Sequence, residues 1–291
     1  MKLNKLLSKS SDTYLYNFDL VIDKQILDNF SNAKYIFMQG SMVRAKVFAT
    51  KLAAQILNID PEYFEPLNLL PCKDFCAYKI GNVLSVSHGM GNSSMLILLH
   101  TLTKLLHYAG NTDLEYIRLG TSGGIGINPG TVVLTNTAYM PNLVPGYMVS
   151  VLDQDIIYPT EMNKDLNNLI IKAQPDDLDF KIALGNSIAA DDFYLGQARL
   201  DGAIKPHYDE SRANEYFTQV QKFNILNFEM ESTSLASFCY RAEIPATMIA
   251  VTLVNRLLSD QITATPEMLS LYSDRPQHIA LNYLKYLDIK G

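Results

Sequence analysis

Cysteine is scarce in this chain of 291 residues. It occurs only as Cys72, Cys76 and Cys239, an odd number at wide spacing that fits reduced thiols in a cytoplasmic protein rather than a disulfide framework. Cys72 and Cys76 are too few ligands for a structural zinc site, and no His or Cys cluster follows them, so no metal is expected. No apolar run is long enough to cross a bilayer. The longest, around Ile244–Val254, falls well short of the roughly 20 residues a spanning helix needs. The N-terminus, Met1-Lys-Leu-Asn-Lys-Leu-Leu-Ser-Lys, lacks the apolar core of a secretory signal. Basic charge is not in excess either. With a formal net charge of −6, neither nucleic acid nor an anionic membrane is expected as a partner, although local arginines can still hold a small anion. Fixed-period repeats, low-complexity tracts and Pro/Ser-rich linkers are also absent, so residues 1–291 read as a single domain.

What is present is a globular composition, 48% apolar and 19% charged, arranged as short strand-type runs alternating with helical patterns. Tyr35–Met38 reads as a strand, and Gly40-Ser41 opens a helical stretch that runs to Leu57. Val83–Ser87 is a buried strand followed by a glycine turn and an amphipathic helix over Ser93–Tyr108. Tyr116–Leu119 is a third strand, ending in a turn at Gly120-Thr-Ser-Gly-Gly-Ile-Gly126. Thr131–Thr135 and Phe180–Ser187 follow as strands, Glu231–Ala242 as a helix and Ala246–Val254 as a strand. Thr265-Pro266-Glu267 then caps a long final helix. This order predicts an α/β sandwich with a mixed, largely parallel sheet and functional loops along one edge.

Four segments carry residues suited to chemistry. Gly40-Ser-Met-Val-Arg44 follows a strand, where a glycine lets backbone N–H groups approach an anion and an arginine one turn in adds charge; a turn glycine with a surface arginine has the same pattern. In Ile117-Arg-Leu-Gly-Thr-Ser-Gly-Gly-Ile-Gly126 an arginine sits inside an apolar strand and needs a partner, either an oxyanion or a structural salt bridge. Asn227-Phe-Glu229-Met-Glu231 places two carboxylates where a strand meets a helix. They can accept from a ribose cis-diol or complement the helix dipole. Finally, Asp192-Phe193-Tyr-Leu-Gly-Gln197-Ala-Arg199 offers Gln197 and Arg199 two residues apart. On an extended strand they would face one side and suit the O2, N3–H and O4 edge of a pyrimidine, with Phe193 against the ring; a polar loop with a core Phe is the plainer alternative.

Together these segments resemble the uridine phosphorylases, of the animal type, within the nucleoside phosphorylase superfamily. The resemblance runs from about Leu15 nearly to the C-terminus. It rests on Val83-Leu-Ser-Val-Ser-His-Gly-Met-Gly91, Ile117–Gly126, Phe193-Tyr-Leu-Gly-Gln-Ala-Arg-Leu-Asp-Gly202, Phe228-Glu-Met-Glu-Ser232 and Val251-Thr-Leu-Val-Asn-Arg256, in that order. It implies a three-layer α/β/α sandwich around a mixed, distorted central sheet. Gly40, Arg44, Arg118 and Thr121 would bind phosphate, and Met230 and Glu231 the ribose. Phe193, Gln197, Arg199, Leu253, Val254 and Arg256 would surround the uracil, with Arg118, Gln197 and Arg199 as the catalytic set. The implied reaction converts uridine and phosphate to uracil and ribose 1-phosphate, with phosphate as co-substrate and no cofactor. A cytoplasmic homodimer with sites completed across the interface is implied as well. His88 holds a place that is structural in the family pattern, and a packed turn residue is expected there. Whether deoxyuridine or thymidine is also used is left open.

Two positions depart from the family. Where it carries a histidine that reaches the neighbouring subunit's ribose, this chain has Asn17, which can donate but cannot become cationic. Where it carries an arginine that reaches across to phosphate, Asp74 stands, with Lys73 beside it. Rival readings are a purine nucleoside phosphorylase or nucleosidase, disfavoured because Thr252-Leu-Val-Asn-Arg256 has no aspartate, and an inactive nucleoside-binding paralogue. A negative Asp74 cannot serve phosphate, so either Lys73 substitutes or the site has one fewer cation, and a phosphate KM above that of arginine-bearing relatives, or a rearranged loop, is expected. A KM equal to theirs and unmoved by Lys73→Ala would count against it.

Overall fold

A computed structural model of the chain describes residues 1–7 and 13–289. Its centre is an eight-stranded sheet whose strands form from the apolar runs read above. In chain order they are β3 (Tyr35–Gln39), β4 (Ala77–Ile80), β5 (Val83–Ser87), β6 (Glu115–Gly124), β7 (Val132–Tyr139), β10 (Ile182–Ala189), β11 (Ile225–Glu229) and β12 (Ala246–Asn255). Two small hairpins, β1 (Tyr14–Leu15) with β2 (Leu20–Val21) and β8 (Tyr147–Val151) with β9 (Gln154–Tyr158), stand outside it. The spatial order is β11-β10-β7-β12-β6-β3-β5-β4. Most neighbours are parallel, while β4–β5 and β12–β7 are antiparallel. The end of β6 also pairs antiparallel with β11 through Gly123↔Phe228 and Gly124↔Asn227. That extra pairing curls β6, β12, β7, β10 and β11 into a closed ring, which is the distortion expected of the sheet.

Side chains alternate across each strand, so both faces of the sheet need cover. Ile36, Met38, Leu84, Val86, Tyr116 and Met248 pack on one face against α3 (Gly91–Tyr108) and α6 (Ser232–Ala242), with α1 (Lys24–Phe30) beyond. Tyr35, Phe37, Val83, Ile117, Leu119 and Ile249 pack on the other against α2 (Met42–Leu57), α4 (Lys164–Lys172) and α7 (Pro266–Tyr286). The remaining α-helix, α5 (Glu210–Lys222), covers β11 through Phe217 and Val220. The result is the three-layer α/β/α sandwich. Thr265 caps α7 as expected, with Pro266 in its first turn. Among the described residues no helix is long and apolar enough to cross a membrane, and no group of three or more His, Cys, Asp or Glu is placed to hold a metal.

The glycine-rich segment after Leu119 departs from the expectation. It is not a turn; β6 continues through Gly124. Its glycines provide clearance. A Cβ on Gly120 would strike the Arg118 guanidinium, and one on Gly123 would stand 3.0 Å from Arg256 Cγ. The strand stays extended while two arginine side chains fold across it.

A buried polar chain ties the ring together. Asn227 donates to Ser122 Oγ at 2.9 Å and accepts from Ser187 Oγ at 2.6 Å, and Ser187 is bonded to Thr135 at 2.7 Å. These four residues lie on β11, β6, β10 and β7. Replacing Asn227 with Leu leaves buried hydroxyls short of a partner, and the expected loss is about 1–3 kcal/mol of stability. Urea denaturation checks this; an unchanged midpoint would show that the chain does not hold the ring.

Candidate active site

The C-terminal ends of β3, β5, β6, β11 and β12 open into a cavity of about 490 Å³, on the edge where open α/β sheets bind ligands. At one end lies the β3–α2 turn. Ser41 caps α2, its side chain facing the Arg44 N–H at 3.5 Å, so that the first helical turn is aimed at the cavity. Gly40 is tightly enclosed: an added Cβ would lie 3.1 Å from the Gly89 carbonyl and 3.3 Å from Arg44 Nη2. Among the described residues no carboxylate lies within ion-pair distance of the Arg44 guanidinium. Burial, reinforced by Arg118 and opposed by Glu231, pulls its pKa below the ordinary arginine value.

Arg118 is the opposite case. It is 5% exposed and ion-paired with Glu229 at 3.2 Å and with Glu231. Its Nη1 also faces Met248 Sδ at 3.0 Å. The two carboxylates are not equivalent. Glu229 accepts the Glu231 N–H at 2.8 Å, the Ser232 N–H at 3.1 Å and the Ser232 hydroxyl, anchoring the start of α6. Burial raises its pKa, Arg118 opposes the shift, and Glu231 adds to it. Glu231 instead accepts the Gly91 N–H at 2.6 Å and lines the cavity beside Met230, Thr121 and Ser122. Both acids border the cavity, but only Glu229 is taken up by the start of α6.

The far end is formed by Phe193, Gln197 and Arg199, with Leu253 and Val254 on one wall and Asp260, Gln261 and Ile262 on another. Gln197 and Arg199 do not lie on an extended strand, contrary to the reading from the sequence. Leu195–Gln197 form one 3₁₀ turn, and Ala198 takes a left-handed φ of 54°. Both side chains nevertheless reach the cavity. The Arg199 guanidinium lies 4.6 Å from the Phe193 ring centre. It is gripped by Asp201 through two bonds of 2.9 and 2.7 Å and by the Asp260 carbonyl at 2.9 Å. The Asp201 bond is the main reason its pKa is raised. These contacts occupy Nε and Nη2, and Nη1 has no partner among the described residues.

Arg256, expected at the base, lies elsewhere, and Asn17, expected to act across a subunit interface, lies outside the cavity of its own chain. Arg256, 3% exposed, does not line the cavity. It sits behind the loop, donating to the Gln197 carbonyl at 2.8 Å and to Asp260 at 2.6 Å, close to Phe217 and Phe228. Asn17 is exposed and borders a second cavity, 3.3 Å from Thr101 Oγ1. Lys73 and Asp74 are both exposed, away from the site of their own chain. The sequence reading missed Asp201, Asp260 and Gly89. The rule that a buried arginine needs a counter-charge pointed to the first, two residues beyond Arg199; Asp260 and Gly89 arrive only through the fold.

The whole set of motifs falls within a match to the family model described as phosphorylase superfamily, over residues 35–285, and the chain belongs to that family. It is 37% identical over 97% of its length to uridine phosphorylase 2 of Mus musculus, covering 88% of that protein. A protein named inactive uridine phosphorylase B, from Schistosoma mansoni, is 30% identical over 97% of the chain and 95% of its own length. Among solved structures, uridine phosphorylase from Schistosoma mansoni in complex with thymidine superposes with a TM-score of 0.92 at 32% identity, covering all of this chain and 99% of that one.

His88 is fully buried behind Gly40. Burial, then Arg118 and Arg44, hold its pKa well below the ordinary value of 6.5. Below pH 6.5 the unfolded chain takes up a proton that the folded protein refuses, so stability falls as pH drops from 6.5. His100 shifts the same way, mainly through burial, and leaves a residual slope. His88→Phe is expected to flatten the fall in stability between pH 6.5 and 5, measured by urea denaturation. Identical slopes in parent and variant would refute this.

Proposed function

We propose that the chain catalyses reversible phosphorolysis of uridine, giving uracil and ribose 1-phosphate. The observation that carries this is the order of groups along one cavity: Gly40, Arg44, Arg118 and Thr121 at one end, Met230 and Glu231 in the middle, and Phe193, Gln197 and Arg199 with Leu253 and Val254 at the other. This order matches an anion, a cis-diol and a planar polar ring joined in sequence. Phosphate, held by the backbone at Gly40, the free Arg44 guanidinium, Arg118 and the Thr121 hydroxyl, attacks C1′ of the ribosyl group. Glu231, already fixed by Arg118 and the Gly91 N–H, accepts from the 2′- and 3′-hydroxyls and holds C1′ in line.

As the C1′–N1 bond breaks, its electron pair passes to the uracil ring. The Gln197 amide, whose side chain has no protein partner among the described residues, and Arg199 Nη1 donate to the oxygen and nitrogen edge where that charge collects. Such preorganised donors commonly contribute about 3–4 kcal/mol each to lowering the barrier. Arg256 supports this end through the Gln197 carbonyl. The reaction needs no cofactor beyond the phosphate co-substrate. The pyrimidine preference is supported at Asn255, whose Oδ1 accepts the Gly126 and Leu257 N–H groups at 3.2 and 3.1 Å. An amide at this position cannot protonate a purine.

The reading includes one domain over residues 1–291, a cytoplasmic location and a homodimer in which Asn17 faces the partner's cavity and either Lys73 serves its phosphate or that site has one fewer cation. Neither residue lines the cavity of its own chain, which is consistent with that arrangement. The test is uracil release with and without phosphate. Release only with phosphate is expected; phosphate-independent release would mean a hydrolase, and none a nucleoside binder. In Arg199→Ala, kcat/KM is expected to fall by about 100-fold or more with the fold retained by circular dichroism, and near-normal turnover would refute the role of Arg199.

A further inference from the structure

His88 follows β5 and is held firmly by its main chain. Its N–H donates to the Gln39 carbonyl at 2.8 Å, and its own carbonyl accepts from Ser94 Oγ at 2.6 Å. The ring is 0% exposed, yet among the described residues neither Nδ1 nor Nε2 has a hydrogen-bond partner. The nearest acceptors, the carbonyls of Gly89 and of His88 itself, do not complete a bond. A neutral imidazole carries one donor and one acceptor. Buried polar atoms are almost always paired, and an orphan in a native site calls for an explanation. A residue needed only to fill the turn could be apolar.

The position of the ring supplies the explanation. The Cβ that Gly40 lacks would stand 3.6 Å from His88 Cε1 and 3.3 Å from Arg44 Nη2. The gap left by glycine is thus bounded by a guanidinium on one side and the imidazole on the other. The atom the ring turns toward Gly40 is Cε1, between its two nitrogens, and an oxyanion seated against Gly40 and Arg44 meets a ring N–H once the ring swings toward it.

We propose that His88 is a further phosphate-contacting residue, its ring N–H donating to an oxygen of the anion held in the Gly40 loop. The assignment rests on the phosphate reading of that loop. It gives the neutral ring a purpose: the donor adds directionality without a third positive charge beside Arg44 and Arg118.

Steady-state kinetics on the full chain test it. His88→Phe, similar in shape but with no donor, is expected to raise the phosphate KM tenfold or more while the uridine KM moves less than twofold. His88→Gln, which keeps an N–H, recovers part of that loss. A packing role alone predicts another pattern, and either of two results overturns the proposal: a phosphate KM in His88→Phe within twofold of the parent, or both KM values rising together. If the variants fail to fold or the parent proves inactive, the unmodified protein labelled with ¹⁵N-histidine decides. Inorganic phosphate alone should shift the ring resonances of one buried histidine, and no shift in any histidine overturns the proposal. Such a shift in an inactive parent would uphold His88 while defeating the phosphorolysis reading.

Discussion

Arg118 projects from the middle of β6 into a site almost closed to water, where leaving a guanidinium unpaired costs several kcal/mol. The surrounding structure supplies its counter-charges. Glu229 and Glu231 arrive from the β11–α6 junction and neutralise it. Gly120 is small enough for the side chain to fold back across its own strand. Glu229 also binds the first N–H groups of α6, so the same ion pair sets where that helix begins and where Glu231 points. The curl of the sheet has the same origin in space, since β11 reaches this junction by pairing with the end of β6. The cavity, the two acids of the β11–α6 junction and the closure of the sheet all meet at this one residue.

The opposite end of the cavity is built differently. It is a loop rather than a strand junction, stiffened by a chain of charges. Asp201 and Asp260 grip Arg199; Asp260 also holds Arg256, and Arg256 holds the Gln197 carbonyl. A donor that must meet charge as it develops gains from being fixed beforehand. Here the fixing falls to Asp201 and Arg256, which do not line the cavity, and to Asp260, which does. Arg256 thereby moves from the base-contacting shell expected of it to the support beneath that shell.

Much of this was legible in the chain. The strands of the central sheet that are buried on both faces read as continuous apolar runs, and Val83–Ser87 is found where it was expected. Gly40, Arg44, Arg118, Gln197, Arg199 and Glu231 stood out because each is a polar or glycine residue placed where an apolar pattern breaks. The errors share a cause. Glycine marks either a turn or a close approach, and local sequence does not distinguish them. The segment Gly120–Gly124 was therefore read as a turn although it is strand. Likewise a spacing of two residues suggested a common strand face for Gln197 and Arg199, which a 3₁₀ turn and a left-handed Ala198 achieve by another route.

The sequence by itself determined the α/β class, the family and most of the residues that line the cavity's two ends, because hydrophobic periodicity and short motifs are local properties. Only the tertiary structure decided that Glu229 anchors the start of α6 while Glu231 takes the Gly91 N–H, both at the cavity wall. It also placed Arg256 behind the base loop and His88 against Gly40 with both ring nitrogens unpaired among the described residues. Those outcomes depend on which side chains meet across strands distant in sequence. Pairing, burial and clearance are set by that meeting, and no stretch of the chain encodes it alone.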